Sequence, residues 1–151
     1  MRALVQRAKR ASVTARAPTT GRWEETGRIA QGLVVFVGVT HDDDESVAHR
    51  IAEKVWRLRV FDDEQGVPNL SGEDLRAGVL VVSQFTLYAD ARKGRRPSYV
   101  NAAPGAVAEP LVDAVVDRLR ELGAEVATGR FGVEMEVELV DDGPWTLMLE
   151  V

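Results

Sequence analysis

Three polar side chains, Ser83, Gln84 and Thr86, stand in Ser83-Gln-Phe-Thr-Leu87, where an apolar stretch would be expected to continue. The segment follows Val79-Leu80-Val81-Val82 and precedes the turn Asp90–Pro97. A short apolar run closed by a Gly- and Pro-containing turn reads as a largely buried strand, carried through to Ala89. A buried hydroxyl or amide without a partner costs roughly 1–3 kcal/mol. The three polar residues are therefore either a satisfied ladder in the core or the floor of a site. Thr86 has no base beside it in sequence, and an unperturbed hydroxyl is a poor attacker at neutral pH. Arg92, Lys93, Arg95 and Arg96 follow directly, which reads as a solvated turn or as a contact for phosphate.

Other chemistries find little equipment. The histidines are His41 and His49, and there is no cysteine, so thiolate chemistry and a disulfide framework are excluded. His41 lies beside Asp42–Asp44, but these carboxylates are better explained as a helix cap and solvated charge than as metal ligands. No glycine-rich loop has phosphate-binding spacing. An enzyme built from this chain must act by positioning and by oriented dipoles. The 151 residues form one domain, 1–151, with 45% hydrophobic and 28% charged residues. No apolar stretch approaches the ~20 residues of a membrane span. The absence of cysteine and of a signal-peptide core fits a cytoplasmic protein. A net charge of −5 argues against a general nucleic-acid binder, although the basic residues are clustered.

The elements that must position these residues can be read from periodicity. Ala3–Arg7 and Ala11–Arg16 read as two short strands, the second alternating Ser12, Thr14 and Arg16 with Val13 and Ala15. Trp23–Arg28 crosses back, and Leu33–Val37 is an apolar strand. Val47, Ile51, Val55 and Leu58 recur at helical spacing, which predicts a helix over residues ~43–59. A second helical pattern begins at Pro104 and carries Val107, Leu111, Ala114, Val115, Leu119 and Leu122, with Gly123 as its stop. Pro110 sets its start near Glu109 or kinks it. Val133–Leu139 and Trp145–Val151 read as strands joined by the turn Asp141-Asp-Gly-Pro144. The sum is an α+β domain: a mainly antiparallel, barrel-like sheet with two principal helices.

Four segments together resemble the D-aminoacyl-tRNA deacylase family: Ser83-Gln-Phe-Thr-Leu87, Arg95-Arg-Pro-Ser-Tyr99, Gly129-Arg-Phe131 and Asp142-Gly-Pro-Trp-Thr146. Arg2–Arg7 and Ala11–Thr14 are similar too, so the resemblance covers the whole chain. It implies a homodimeric enzyme without a metal or other cofactor. Such an enzyme hydrolyses the ester between a D-amino acid and the 3′-terminal adenosine of tRNA, and also removes glycine from mischarged tRNA. By the same resemblance Gln84, Phe85 and Thr86 are catalytic, with the 2′-hydroxyl of the tRNA assisting. Ser83, Leu87, Phe131 and Met135 would bind substrate, the last two at the terminal adenosine. Gly143 and Pro144, joined by a cis bond, would enter the site of the other subunit. The second signature of the family is Asn-x-Gly-Pro-x-Thr, and Asp141 takes its first position here.

Two other functions share these features. One is a noncatalytic RNA-binding module. The other is an editing domain like that of some archaeal threonyl-tRNA synthetases, acting on L-seryl esters. Gly143–Pro144 discriminates, because it belongs to the family that selects by chirality.

Overall fold

The computed structural model describes residues 1–151. Strand β1 (Arg2–Arg16) is its axis, pairing antiparallel with β2 (Trp23–Ile29), β3 (Gly32–Gly38) and a long final strand. Helix α1 (Glu45–Trp56) follows, then a small hairpin of β4 (Phe61–Asp62) and β5 (Pro68–Leu70), and a single helical turn, α2 (Gly72–Leu75). Strand β6 (Gly78–Ser83) leads to the site, α3 (Gly105–Glu121) recrosses, and β7 (Glu125–Thr128) and β8 (Met135–Glu150) complete the chain.

The sheet runs β2-β1-β3-β6-β7, with β8 on β1. Its β1 pairings are antiparallel, whereas β3–β6 and β6–β7 are parallel. The sheet is thus mixed, where alternation alone pointed to a mainly antiparallel one. The cause is visible in β3 and β6, whose sequences are continuously apolar. Leu33, Val35, Val37, Val79 and Val81 face one core, while Val34, Leu80 and Val82 face a second. Strands buried on both faces carry such runs, and helical crossovers make them parallel. Where β2 and β7 approach each other the sheet is nearly closed: a Cβ at Gly27 would lie 2.8 Å from the carbonyl oxygen of Thr128.

Several boundaries differ from the sequence reading. The two N-terminal strands are one: Arg7 and Ala8 still pair with β3, and Ala8 and Arg10 pair with β8 across two register shifts, so the strand continues through the stretch. The final two strands are likewise one. Asp141–Pro144 does not reverse the chain: Asp141 still pairs with Ala8, and residues 142–145 bulge out of β8, which resumes its pairing with β1 at Thr146. Strand β6 stops at Ser83, and residues Phe85–Tyr88 wind into a 3₁₀ turn instead of extending to Ala89. Helix α1 is shorter than expected, capped by Asp44, whose carboxylate accepts from the Val47 N–H. Helix α3 begins at Gly105, directly after Pro104 where the pattern starts, and keeps Pro110 in its interior instead of starting near Glu109. Helices α1 and α3 pack together on one face of the sheet, joined at their flank by Arg118 and Glu53 at 2.5 Å.

Candidate active site

Strand β6 ends beside β3, with Ser83 in register with Val37, and the Gln84 N–H continues that pairing by donating to the Val37 carbonyl at 2.7 Å. The backbone then turns. In the 3₁₀ turn the Leu87 N–H bonds Gln84 and the Ala89 N–H bonds Thr86. The first N–H groups of such a turn, those of Phe85 and Thr86, have no acceptor within it. Two neighbouring donors therefore lie at the end of a buried strand. The Gln84 amide donates to the Thr86 hydroxyl and sets the orientation of both side chains.

Ser83, Gln84 and Phe85, but not Thr86, border a cleft of about 620 Å³. Ser83, Gln84 and Phe85 form one side, Phe131, Met135 and Val137 another, and the start of α3 with Tyr99 a third. Small residues open it: Ala102, Ala103, Gly105 and Ala108 sit where larger side chains would fill the space. Gly129 has a similar part, since a Cβ there would lie 2.6 Å from the Met135 sulfur. A volume of this size, with apolar walls and a few convergent polar groups, suits a small organic ligand. No acidic side chain lines it.

Thr86 and Leu87 are outside the lining, Thr86 linked to it through Gln84, while the Leu87 carbonyl accepts from Arg2 at 3.0 Å. Arg2 also lies 4.6 Å over the ring of Tyr88, whose hydroxyl is pushed up to about 12, mainly by burial. Gly143 and Pro144 do not line the cleft of their own chain. Their peptide bond is cis, and Gly143 has φ +148°. The bulge is held by Asp141, which accepts from the Trp145 N–H at 2.9 Å, the Gln6 amide at 3.0 Å and the Thr146 hydroxyl at 3.0 Å.

In the basic loop, Arg92 is folded onto Asp90 at 2.7 Å and holds that carboxyl at about 2 through its hydrogen bonds. Lys93, Arg95 and Arg96 are exposed and make no ion pair within the chain.

Two residues of consequence were missed in the sequence. Arg7, which the sequence groups with Arg2, Lys9 and Arg10 as a second basic segment, is instead 6% exposed and touches both sides of the bulge, whereas charged strand residues ordinarily point to solvent. Tyr99 lay in a matched motif but received no role; its neighbours Pro97 and Ser98 mark a loop, and nothing local aims its ring at the cleft.

A sequence profile described as D-Tyr-tRNA(Tyr) deacylase matches residues 4–150. The chain belongs to this family. Relatives named D-aminoacyl-tRNA deacylase include one from Nocardia farcinica, 59% identical over 150 residues and covering 99% of each chain. Another, from Mycolicibacterium smegmatis, is 55% identical over 151 residues and covers 100% of each. Among solved structures, one described as c-Myc DNA Unwinding Element Binding Protein is 35% identical. It covers 100% of this chain and 99% of its own, with a TM-score of 0.90. A second, described as a probable eukaryotic D-amino acid tRNA deacylase, shares the fold at a TM-score of 0.83 and 16% identity, covering 99% and 98%. The deacylase family thus accounts for the full length of the domain.

Proposed function

We propose that this chain hydrolyses the ester bond of D-aminoacyl-tRNA, releasing the D-amino acid and free tRNA. The observation that carries it is family membership over the whole chain, with full-length relatives of that name. The geometry supplies a mechanism. The terminal adenine enters the apolar cleft against Phe131 and Met135, and the ester carbonyl turns toward the N–H groups of Phe85 and Thr86. Water attacks the carbonyl carbon, negative charge gathers on its oxygen, and the bond to the ribose 3′-oxygen breaks. The leaving oxygen takes the proton lost by the water, relayed by the neighbouring 2′-hydroxyl. Oriented donors in a water-poor site are worth far more than in solution. Thr86 positions; it is not the attacking group.

Selectivity belongs to Gly143 and Pro144 acting in the cleft of a second protomer. In support, the bulge lies outside its own chain's cleft and has a face suited to a partner. Phe36, Leu4 and Met148 are neighbours across β3, β1 and β8, and Met148 is exposed. Gln6 and Thr146 extend the same face to the bulge. A homodimer built there brings rigid carbonyls to the α-amino group and leaves no room for an L side chain. A D side chain points outward and is read loosely; glycine, with none, is accepted. Incubation with D- and L-tyrosyl-tRNA, followed by acid gel analysis, tests the proposal. Rapid loss of the D ester with the L ester intact is expected. Equal loss of both, or preference for an L-seryl ester, would select the synthetase-type editor.

A further inference from the structure

We propose that Phe85 and Tyr99 form a stacking platform for the unpaired nucleotides next to the terminal adenosine, with Lys93, Arg95 and Arg96 receiving their phosphates. This rests on reading the cleft as the ester site. Both rings border the cleft, so an RNA strand leaving it passes them first. In the single chain Phe85 is 56% and Tyr99 42% exposed, and the rings meet edge to face with centroids 5.0 Å apart. An aromatic pair open to water at a cleft mouth gives up burial that a core position would have provided.

The exposure comes from a held backbone. His41 Nε2 donates to the Val100 carbonyl at 2.8 Å, the Thr40 hydroxyl to the Asn101 carbonyl at 2.7 Å, and the Ala103 N–H to the Val39 carbonyl at 2.9 Å. Asp90 and Ser98 exchange two backbone bonds at 2.8 and 2.9 Å, which fastens the base of the basic loop directly before Tyr99. Tyr99 and the three unpaired cations are therefore parts of one anchored segment, and Phe85 meets it from the 3₁₀ turn just before.

Charge decides between occupants. The core of a protein-docking patch is depleted of charge, whereas here three cations stand together with no carboxylate of the chain paired to them. Aromatic faces beside free cations are what a single strand requires, because bases stack while the groove follows the phosphates. In an A-form duplex the base faces are hidden, so the match is to the unpaired end.

The test compares D-tyrosyl-tRNA with D-tyrosyl-adenosine, which lacks the adjoining nucleotides. Tyr99→Ala, and Tyr99→Leu as a variant that keeps apolar volume, should raise KM for the tRNA about tenfold more than for the adenosine ester. Tyr99→Phe should restore the wild-type ratio. An equal effect on both substrates, or none on either, overturns the platform. A changed mass in solution also overturns it, by assigning the rings to a contact between chains. Thr86→Ala is the control for the underlying reading: full activity on both substrates would remove the ester site from this cleft, and the platform with it. Loss in Thr86→Ala with an unaltered ratio in Tyr99→Ala would remove the platform alone.

Discussion

Arg7 stands opposite the bulge of β8 and donates from Nε to the Asp142 carbonyl at 2.8 Å. In register terms Gln6 faces Thr146 and Ala8 faces Asp141, so the single residue Arg7 faces Asp142–Trp145. Its guanidinium also reaches the Val60 carbonyl at 2.6 Å and lies 5.4 Å from the ring centroid of Trp145. One planar cation thus joins the bulge to the segment after α1. Arg7→Met should lower stability by about 2–3 kcal/mol, because it strands a buried carbonyl and two carboxylates that are partly solvated. That corresponds to a melting temperature lower by roughly 5–10 °C for a domain of this size. Arg7→Lys should recover only part of the loss, since an ammonium cannot span both carbonyls. Thermal unfolding of the two variants provides the comparison; equal stability of wild type and Arg7→Met would refute the role.

The basic loop predicts a salt effect. Reversing Arg95 and Arg96 to Glu should weaken tRNA binding and flatten its dependence on salt, with the melting curve unchanged. Each lost phosphate contact reduces the slope of log affinity against log salt by about one. A salt titration that overlays the wild-type curve would exclude phosphate contact at these positions.

Thr86 gives a kinetic prediction. Its hydroxyl accepts from Gln84, and neither histidine reaches it: His41 is bonded to Val100, and His49 pairs with Glu45 on α1. With no base to activate it, Thr86→Ser should retain at least part of the activity, and rapid quenching should trap no acyl-enzyme. An aminoacyl adduct on Thr86, seen by mass spectrometry and formed fast enough to be an intermediate, would sink this version.

How much of this could be read from the chain follows physical lines. The apolar runs of β3 and β6 and the helical spacing around Ile51 were legible, because burial writes itself into periodicity. The end of β6 was not. Phe85 and Leu87 look like strand residues, and only the tertiary bond from the Gln84 N–H to Val37 locates the point where the 3₁₀ turn begins. The bulge was misread for a similar reason. Asp141-Asp-Gly-Pro144 has the composition of a reversal, and local turn chemistry cannot reveal that β1 continues on the other side. Asp141 was legible as a departure from the family pattern. Its carboxylate nevertheless collects three donors around the bulge.

A pH effect attaches to the loop base. The Asp90 carboxyl is held at about 2 chiefly by hydrogen bonds from Arg92, below its ordinary value near 3.9. The folded value is the lower one, so the pairing contributes fully above ~pH 4 and is lost as pH falls through about 2. An NMR titration of Asp90 should show that low midpoint, and Arg92→Ala should move it upward. An unmoved midpoint would show that the pairing does not set it.

The last prediction concerns which chain the bulge serves. Alanine at Gly143 would put its Cβ 2.2 Å from Trp145 Cδ1 and 2.8 Å from the Trp145 nitrogen, at a φ of +148° that L residues rarely adopt. Gly143→Ala must therefore displace the bulge while β8 remains paired on either side, and D-tyrosyl-tRNA hydrolysis should fall more than about tenfold. Thr86→Ala should impair the same reaction from the cleft side. If Gly143 and Pro144 act on the partner, mixing the two defective chains restores intact sites. A mixed dimer holds one site with wild-type Thr86 and wild-type Gly143, and one site with both defects. With random pairing half the dimers are mixed, so about a quarter of wild-type activity should return. If each chain used its own bulge, every site would keep one defect and mixing would restore nothing. The assay is the D-tyrosyl-tRNA rate after the two proteins are unfolded and refolded together, compared with each refolded alone. Recovery assigns the bulge to the neighbouring subunit; no recovery, with mixed dimers demonstrated by native mass spectrometry, rejects cross-subunit selection.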